Sequence, residues 1–305
     1  FTFATIGSVY LKSEQFSHFK TIIIDECHLV NPKNLDGMFT QFLQAIGNPK
    51  CIGFTATPYR MDSFYKRLSF GYETIVTIAL INRRRHHFWH RLIYNINNED
   101  LLKQGYLCPL EYIDKSIINQ EDIPLNKSRS DFDLTLFEKK IEDKKGEIFE
   151  AITLAWKTSK SILVFCSSVE QANELQEMFK DYSEVVTAKT NKKERKRIID
   201  DFRSQKIPIV FNVGVLTIGF DHPALDCIVL LRPTRSIALY YQMIGRGVRV
   251  APGKTSCKVI DLTSNVKNLG RVETIKLEKK EGKWELLSET GSWHNAELYR
   301  FIKKQ

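Results

Sequence analysis

Two short stretches of this sequence carry side chains whose types and spacing could do chemistry. In the first, Asp25 and Glu26 follow the apolar run Thr21-Ile22-Ile23-Ile24 and precede Cys27-His28. Carboxylates that leave a strand of an open α/β sheet face the crevice outside its carboxyl end. There one hard oxygen can hold the Mg²⁺ of a nucleotide while its neighbour orients and deprotonates an attacking water. The plainer reading is a helix N-terminus with two favourable charges. In the second stretch, Gln242, Arg246 and Arg249 fall at i, i+4 and i+7, one face if the segment is helical. Gly245 and Gly247 cost about 1 kcal/mol each in a helix and imply a backbone that something approaches closely. Two guanidiniums beside small residues suit a phosphate that gains charge during transfer; an exposed basic helix is the alternative. Between these stretches, Thr55 and Thr57 place two hydroxyls after the short run Cys51-Ile52-Gly53-Phe54, and Thr217-Ile218-Gly219-Phe220-Asp221 forms a T-x-G-x-D loop. Its glycine admits backbone close to a ligand and its aspartate can accept from a ribose hydroxyl.

These groups need a frame. The run 21–24 is too short for a helix and apolar on both faces, which predicts a buried parallel strand. Residues 1–10, FTFATIGSVY, have strand-like composition, and 38–46 have helical spacing, closed by Gly47-Asn48-Pro49. The second half alternates more cleanly. Helices are predicted at 147–157, 170–179 and 192–204, and strands at 111–114, 161–168, 182–187, 207–213, 228–231 and 259–262, an order that implies a parallel sheet. After Arg271 the pattern changes to a hairpin around Glu281-Gly282-Lys283 and a short helix from about Asn295. The expected fold class is α/β, with two parallel-sheet lobes and a small C-terminal appendage. The expected boundaries are 1–110 for the first lobe, 111–270 for the second and 271–305 for the appendage.

Composition narrows the partner. A net charge of +9 and 43% apolar residues describe a globular chain that favours an anionic partner, nucleic acid before a membrane surface. Cysteines 27, 51, 108, 166, 227 and 257 form no C-x-x-C pair, so neither a zinc knuckle nor a disulfide framework is indicated, and a reducing, cytoplasmic setting is expected. No run approaches the ~18 apolar residues of a membrane helix. The segment Arg83-Arg84-Arg85-His86-His87-Phe88-Trp89-His90-Arg91 reads as a solvated basic face rather than a metal site, because its arginines repel a cation.

The order of these motifs carries a resemblance. D-E-C-H, then T-A-T, a strand ending S-S, T-x-G-x-D and Q-x-x-G-R-x-x-R resemble motifs II to VI of superfamily 2 helicases and translocases, over nearly all of residues 1–265. The wording IIIDECHLVNP, GFTATPYR, GYLCPL and LLRPTRSIALYYQMIGRGVRVAPGKT looks most like DNA-repair motors of the RadD and UvsW type, with restriction-enzyme motor subunits as cousins. The resemblance implies two RecA-like lobes with ATP in the cleft between them. It makes Asp25 the Mg²⁺ holder through water and Glu26 the general base. His28, Thr55 and Thr57 would couple ATP state to the nucleic-acid track. Gly219 and Asp221 would face the nucleotide, and Gln242, Arg246 and Arg249 would complete the site, the arginines as fingers. Thr5, Ser167 and Thr217 match positions that touch strand phosphates.

The sequence departs from that family at one point. A P-loop, G-x-x-x-x-G-K-[ST], belongs well before the D-E-x-H strand, and the 305 residues contain none. Gly253-Lys254-Thr255 cannot serve. The partner glycine would be residue 248, a valine, and the segment leads into a strand where a P-loop leads into a helix. The expectation is a DNA motor without its N-terminal quarter, inactive alone. The alternatives are a nucleic-acid-binding module without catalysis, or half of a split motor whose P-loop lies on a partner chain.

Overall fold

The computed structural model describes residues 1–305 apart from 32, 33, 35, 69, 70, 83–86, 217–219, 281, 290, 293–296 and 302–305. In chain order the first elements are α1 (Ile6–Val9), β1 (Thr21–Ile24), α2 (Met38–Ala45), β2 (Lys50–Gly53), β3 (Tyr59–Leu68), β4 (Gly71–Leu80), α3 (Asn98–Lys103) and β5 (Leu110–Asp114). Then come α4 (Leu134–Lys140), α5 (Lys145–Thr158), β6 (Ile162–Cys166), α6 (Val169–Met178), β7 (Ser183–Val186), α7 (Lys192–Arg203) and β8 (Ile209–Asn212). The chain continues through β9 (Cys227–Leu231), α8 (Ile237–Ile244), β10 (Cys257–Asp261), α9 (Asn265–Leu269), β11 (Lys276–Lys280), β12 (Lys283–Ser288), β13 (Gly291–Ser292) and β14 (Glu297–Phe301). They divide into two compact units, Phe1–Asn95 with Trp293–Gln305, and Ile96–Ser292. The division falls before α3, whose Asn98 Nδ2 donates to Val272 O at 2.9 Å within the second unit.

In the first unit β1 and β2 pair in parallel, Thr21 opposite Lys50 and Ile24 opposite Gly53. Val9, Ile24, Cys27, Val30, Phe42, Leu43 and Ile46 form the core beneath them. The run 21–24 is a parallel strand as expected, but its expected full burial is not found. Ile24 is buried, whereas Ile23 is 60% exposed, because packing covers one face of this two-stranded sheet. Residues 1–10 are not a strand either: α1 and a following 3-10 segment form there, with Ser8 N donating to Thr5 O at 2.9 Å. Strand propensity is realised through neighbours, and among the described residues this segment pairs with no strand. A long antiparallel hairpin, β3 and β4, follows the T-A-T segment, with β14 on the outer side of β4. That strand takes the place of the helix expected from about Asn295; Leu298-Tyr299-Arg300-Phe301 mixes aromatic and polar residues in a way that suits a half-covered sheet.

The second unit is built on a six-stranded parallel sheet of order β5-β10-β9-β6-β8-β7. Its central strands are continuous apolar runs because both faces are covered: every residue of β6, β8 and β9 is buried. Helix α5 contributes Ile148, Ala151, Ile152 and Ala155, the i, i+3, i+4, i+7 stripe of a helix lying on a sheet. Start signals are read locally. Ser168 Oγ accepts from Gln171 N, Asn191 Oδ1 from Glu194 N and Ser236 Oγ from Leu239 N, which fixes where α6, α7 and α8 begin. The hairpin expected around residue 282 is β11 and β12, with Gly282 at φ +79°.

Candidate active site

In the first unit, the backbone turns sharply at the end of β1. Glu26 adopts the left-handed conformation, φ 49° and ψ 44°, which costs a non-glycine residue roughly 1 kcal/mol. Phe54 N donates to Ile24 O and Cys27 N to Phe54 O, both at 2.9 Å, so the turn is bonded to the chain leaving β2. Gly53 makes this approach possible: a Cβ there would lie 2.7 Å from Cys27 Sγ and from the Trp89 ring. Trp89 Nε1 donates to Cys27 O at 3.0 Å. This clamp was not foreseen from a segment read as a basic face.

The turn sorts the two carboxylates. Asp25 is exposed, and its Oδ1 accepts from Glu26 N at 2.9 Å. The Glu26 carboxylate lies 3.3 Å from His28 Nδ1, which also meets Thr55 Oγ1 at 2.8 Å and Thr57 Oγ1 at 3.3 Å. Thr57 N donates to Thr55 Oγ1 at 3.0 Å. Burial, and then the charge of Arg60, hold the His28 pKa below its ordinary value, against the pull of Asp25. That direction favours the neutral imidazole near pH 7, in which form the 3.3 Å contact with Glu26 is not an ion pair. The structure thus brings Glu26, His28, Thr55 and Thr57 together. Two neighbouring carboxylates, one fully exposed, suit Mg²⁺, which takes one or two carboxylates and fills its remaining positions with water and phosphate. Among the described residues no group of three His, Cys, Asp or Glu side chains could cage a metal alone.

In the second unit, α8 stops at Ile244, so the helical face expected for Gln242, Arg246 and Arg249 does not exist. Glycine is a poor helix former, and Gly245 caps the helix with Gly247 two residues beyond. A Cβ on Gly247 would lie 2.5 Å from Cys257 Sγ and 3.0 Å from Ile228 Cδ1, so the close approach foreseen there is made by the protein's own sheet. The arginines converge all the same. Arg246 Nη1 donates to Phe220 O at 2.7 Å and Arg249 Nη1 to the same oxygen at 3.3 Å. Arg249 also pairs with the Asp221 carboxylate. Arg203 Nη2, unforeseen in the basic helix α7, donates to Asp221 O at 2.6 Å. Gln242 lies on the last turn of α8, its carbonyl 3.4 Å from Arg246 Nε. Thr217 and Gly219 lie outside the described residues. Upstream of them, the buried Asn212 Oδ1 accepts from Leu216 N at 2.9 Å and shapes the loop's entry.

Two positions expected to touch nucleic acid have local partners of their own. Thr5 is exposed, and its hydroxyl donates to Ser8 Oγ at 3.2 Å. Ser167 is buried, and its hydroxyl lies 2.5 Å from Glu138 Oε1 and 3.0 Å from Gln171 Oε1, so its one proton goes to a carboxylate or an amide oxygen. No helix of the described residues is long and apolar enough to cross a membrane.

The family described as Helicase conserved C-terminal domain matches residues 144–251, and Type III restriction enzyme, res subunit, matches residues 1–60. Among curated proteins, the chain is similar to irc3 of Schizosaccharomyces pombe, named as a mitochondrial ATP-dependent helicase, with 31% identity over 87% of this chain and 42% of that protein. It is similar to IRC3 of Saccharomyces cerevisiae, named as an ATP-dependent helicase, with 31% identity over 79% and 33%. The chain therefore spans well under half the length of these relatives. In fold it resembles a fragment described as the HsdR subunit of a type I restriction enzyme from Vibrio vulnificus YJ016, with TM-score 0.61 and 23% identity over 87% of this chain and 48% of that one. It also resembles the Type ISP restriction-modification enzyme LlaBIII bound to DNA, with TM-score 0.54 and 17% identity over 86% and 19%. Its parallel-sheet second unit, its motif series and these matches support a superfamily 2 helicase-type chain related to restriction-type motors.

Proposed function

We propose that this chain is the catalytic part of an ATP-dependent motor that moves along or remodels DNA, single-stranded or branched. The observation that carries the reading is the convergence of Arg246 and Arg249 on Phe220 O, beside Asp221. Two motifs far apart in sequence meet there, as a phosphate-sensing site requires. In this reading residues 1–110 and 111–270 serve as the two motor lobes and 271–305 as an appendage. Asp25 would hold Mg²⁺ through water, and the ion would supply positive charge against the phosphates. Glu26 takes the proton of the attacking water as its oxygen bonds the γ-phosphorus and the bond to the bridging oxygen breaks. Arg246 and Arg249 donate to oxygens that gain charge; a bond from one guanidinium nitrogen to Phe220 O aims each planar fork. Gln242, Gly219 and Asp221 complete the nucleotide contacts. His28, held by Thr55 and Thr57, relays the state of Glu26 to the T-A-T segment.

Thr5, Ser167 and Thr217 are proposed phosphate contacts of the strand, and the contact at Ser167 requires Glu138 to release the hydroxyl. DNA is favoured because the restriction enzyme of similar fold carries it. The net charge of +9 predicts binding that weakens steeply with salt. Six free cysteines fit a reducing, cytoplasmic setting. Because no P-loop is present among the 305 residues, the β- and γ-phosphates need groups from further chain or from a partner chain. The test compares ATP hydrolysis by the 305-residue chain with that of a chain extended to the relatives' length and carrying a P-loop. Turnover by the extended chain alone, abolished by Glu26→Gln or Arg246→Ala with DNA affinity retained, is expected; arginine fingers are typically worth ~10³–10⁵ in rate. Retained turnover in either variant overturns the assignment. DNA binding with no turnover in the extended chain favours the second reading, a binding module, which the net charge and missing P-loop also fit.

A further inference from the structure

Lys254 belongs to the Gly253-Lys254-Thr255 segment that cannot form a P-loop, and it has a definite employment. Its Nζ donates to Gly247 O at 2.6 Å, to Arg249 O at 2.9 Å and to Pro223 O at 3.1 Å. An ammonium has three N–H donors, and all three are accounted for. The carbonyl between the two held on the arginine segment, Val248 O, points the other way and accepts from Cys108 N at 2.7 Å. Three successive carbonyls from Gly247 to Arg249 are thus fixed, alternately by Lys254 and by the chain entering β5. Gly253, at φ +76°, returns the backbone, and Lys254 N donates to Ala251 O at 3.1 Å, which brings the lysine under the segment it holds.

The third acceptor gives this arrangement its meaning. Pro223 lies two residues beyond Asp221, on the loop whose Phe220 carbonyl receives both arginines. One ammonium therefore ties the backbone that carries Arg249 to the backbone on which Arg246 and Arg249 are aimed. We propose that Lys254 is a positioning residue of the motor, a three-way staple that sets the register of the arginine segment against the 220–223 loop. This inference rests on the functional reading above for its effect on turnover, and on the geometry alone for its effect on the two segments. A hydrocarbon side chain of the same length leaves three carbonyls without their donor, and the arginine segment loses its fixed register while the sheet below it, packed through Cys257 and Ile228, remains.

Two arms test it. In the 305-residue chain, Lys254→Ala should raise amide hydrogen exchange in 247–251 and 220–225 at least tenfold while β6 and β9 exchange as before. Unchanged exchange in both segments overturns the proposal. If that variant does not fold, Lys254→Gln, which keeps two of the donors, is read in its place with a smaller rise expected. In the extended chain, Lys254→Ala should lower kcat for ATP at least tenfold with KM within about twofold. Ethylammonium, which supplies N–H donors, should recover part of that loss, and tetramethylammonium, which supplies none, should not. Wild-type kcat in Lys254→Ala beside a dead Arg246→Ala overturns the proposal. Full turnover in Arg246→Ala overturns the functional reading instead, and the exchange arm still decides the role of Lys254.

Discussion

The acidic groups of the first unit and the cationic groups of the second are held in place by contrasting means. Around Glu26, the positioning groups are neutral: a buried imidazole, two threonine hydroxyls and backbone bonds across two strands. Around Asp221, they are cations bonded to carbonyl oxygens, with Arg203, Arg246, Arg249 and Lys254 all donating to the backbone of 220–223. The frames differ as well. The acidic groups leave a two-stranded sheet with one covered face, while the cationic groups rest on a six-stranded sheet whose central strands are wholly buried. A guanidinium stays charged at any relevant pH, so fixing it with carbonyls costs it no reactivity.

The widest gap should be in stability. Phe165→Ala, in the wholly buried strand β6 of the second unit, is expected to lower unfolding free energy by ~3–5 kcal/mol. Phe42→Ala, in the shallower core of the first unit, should fall at or below the low end of that range. Urea denaturation followed through Trp156 and Trp89 measures both, and equal costs would break the contrast of frames.

A smaller effect concerns pH. Burial pushes the His222 imidazole down to about 4. Its contribution is therefore complete above the unfolded value near 6.5 and is lost as pH falls toward 4. Burial raises Asp261 to about 6 against the bonds its carboxylate accepts, so its contribution is complete below the unfolded value near 3.8 and is lost as pH rises through 6. The two offset each other between pH 4 and 6. His222→Gln should uncover the aspartate, so that the variant loses up to about 3 kcal/mol on going from pH 4 to 6 while the wild type changes less. A variant with the wild-type pH profile refutes this account. The smallest effect is expected at Ile23, whose side chain is mostly in water: Ile23→Thr should shift stability by no more than ~0.5 kcal/mol.

Much of the second unit was legible because its physics is local. The stretches 162–166 and 228–231 are apolar without interruption, which a strand covered on both faces requires, and Ser168, Asn191 and Ser236 announce the helices that follow them. What approaches Gly247 was not legible, since the Cys257 and Ile228 side chains that leave no room for a Cβ there come from distant parts of the chain. The β3–β4 hairpin was missed for a related reason: Tyr59–Leu68 mixes charged, polar and aromatic residues and becomes a strand through pairing with β4. Sequence order grouped His28 with Thr55 and Thr57, and Asp221 with the arginines. The side chains that position them, Trp89, Arg203 and Lys254, are reached through backbone carbonyls, which leave no mark on residue type.

The strand order of the second unit also sets a timetable for its birth. The edge strand β5 finds its hydrogen-bonded neighbour in β10, about 150 residues later in the chain. At roughly 5–20 residues per second of synthesis, β5 emerges on the order of ten seconds before its partner exists. Until then β9, the other neighbour of β10, shows an open edge of apolar residues. A nascent chain of this kind is most exposed to aggregation late in its synthesis, and holding that edge until β10 arrives is the service it would need from a chaperone.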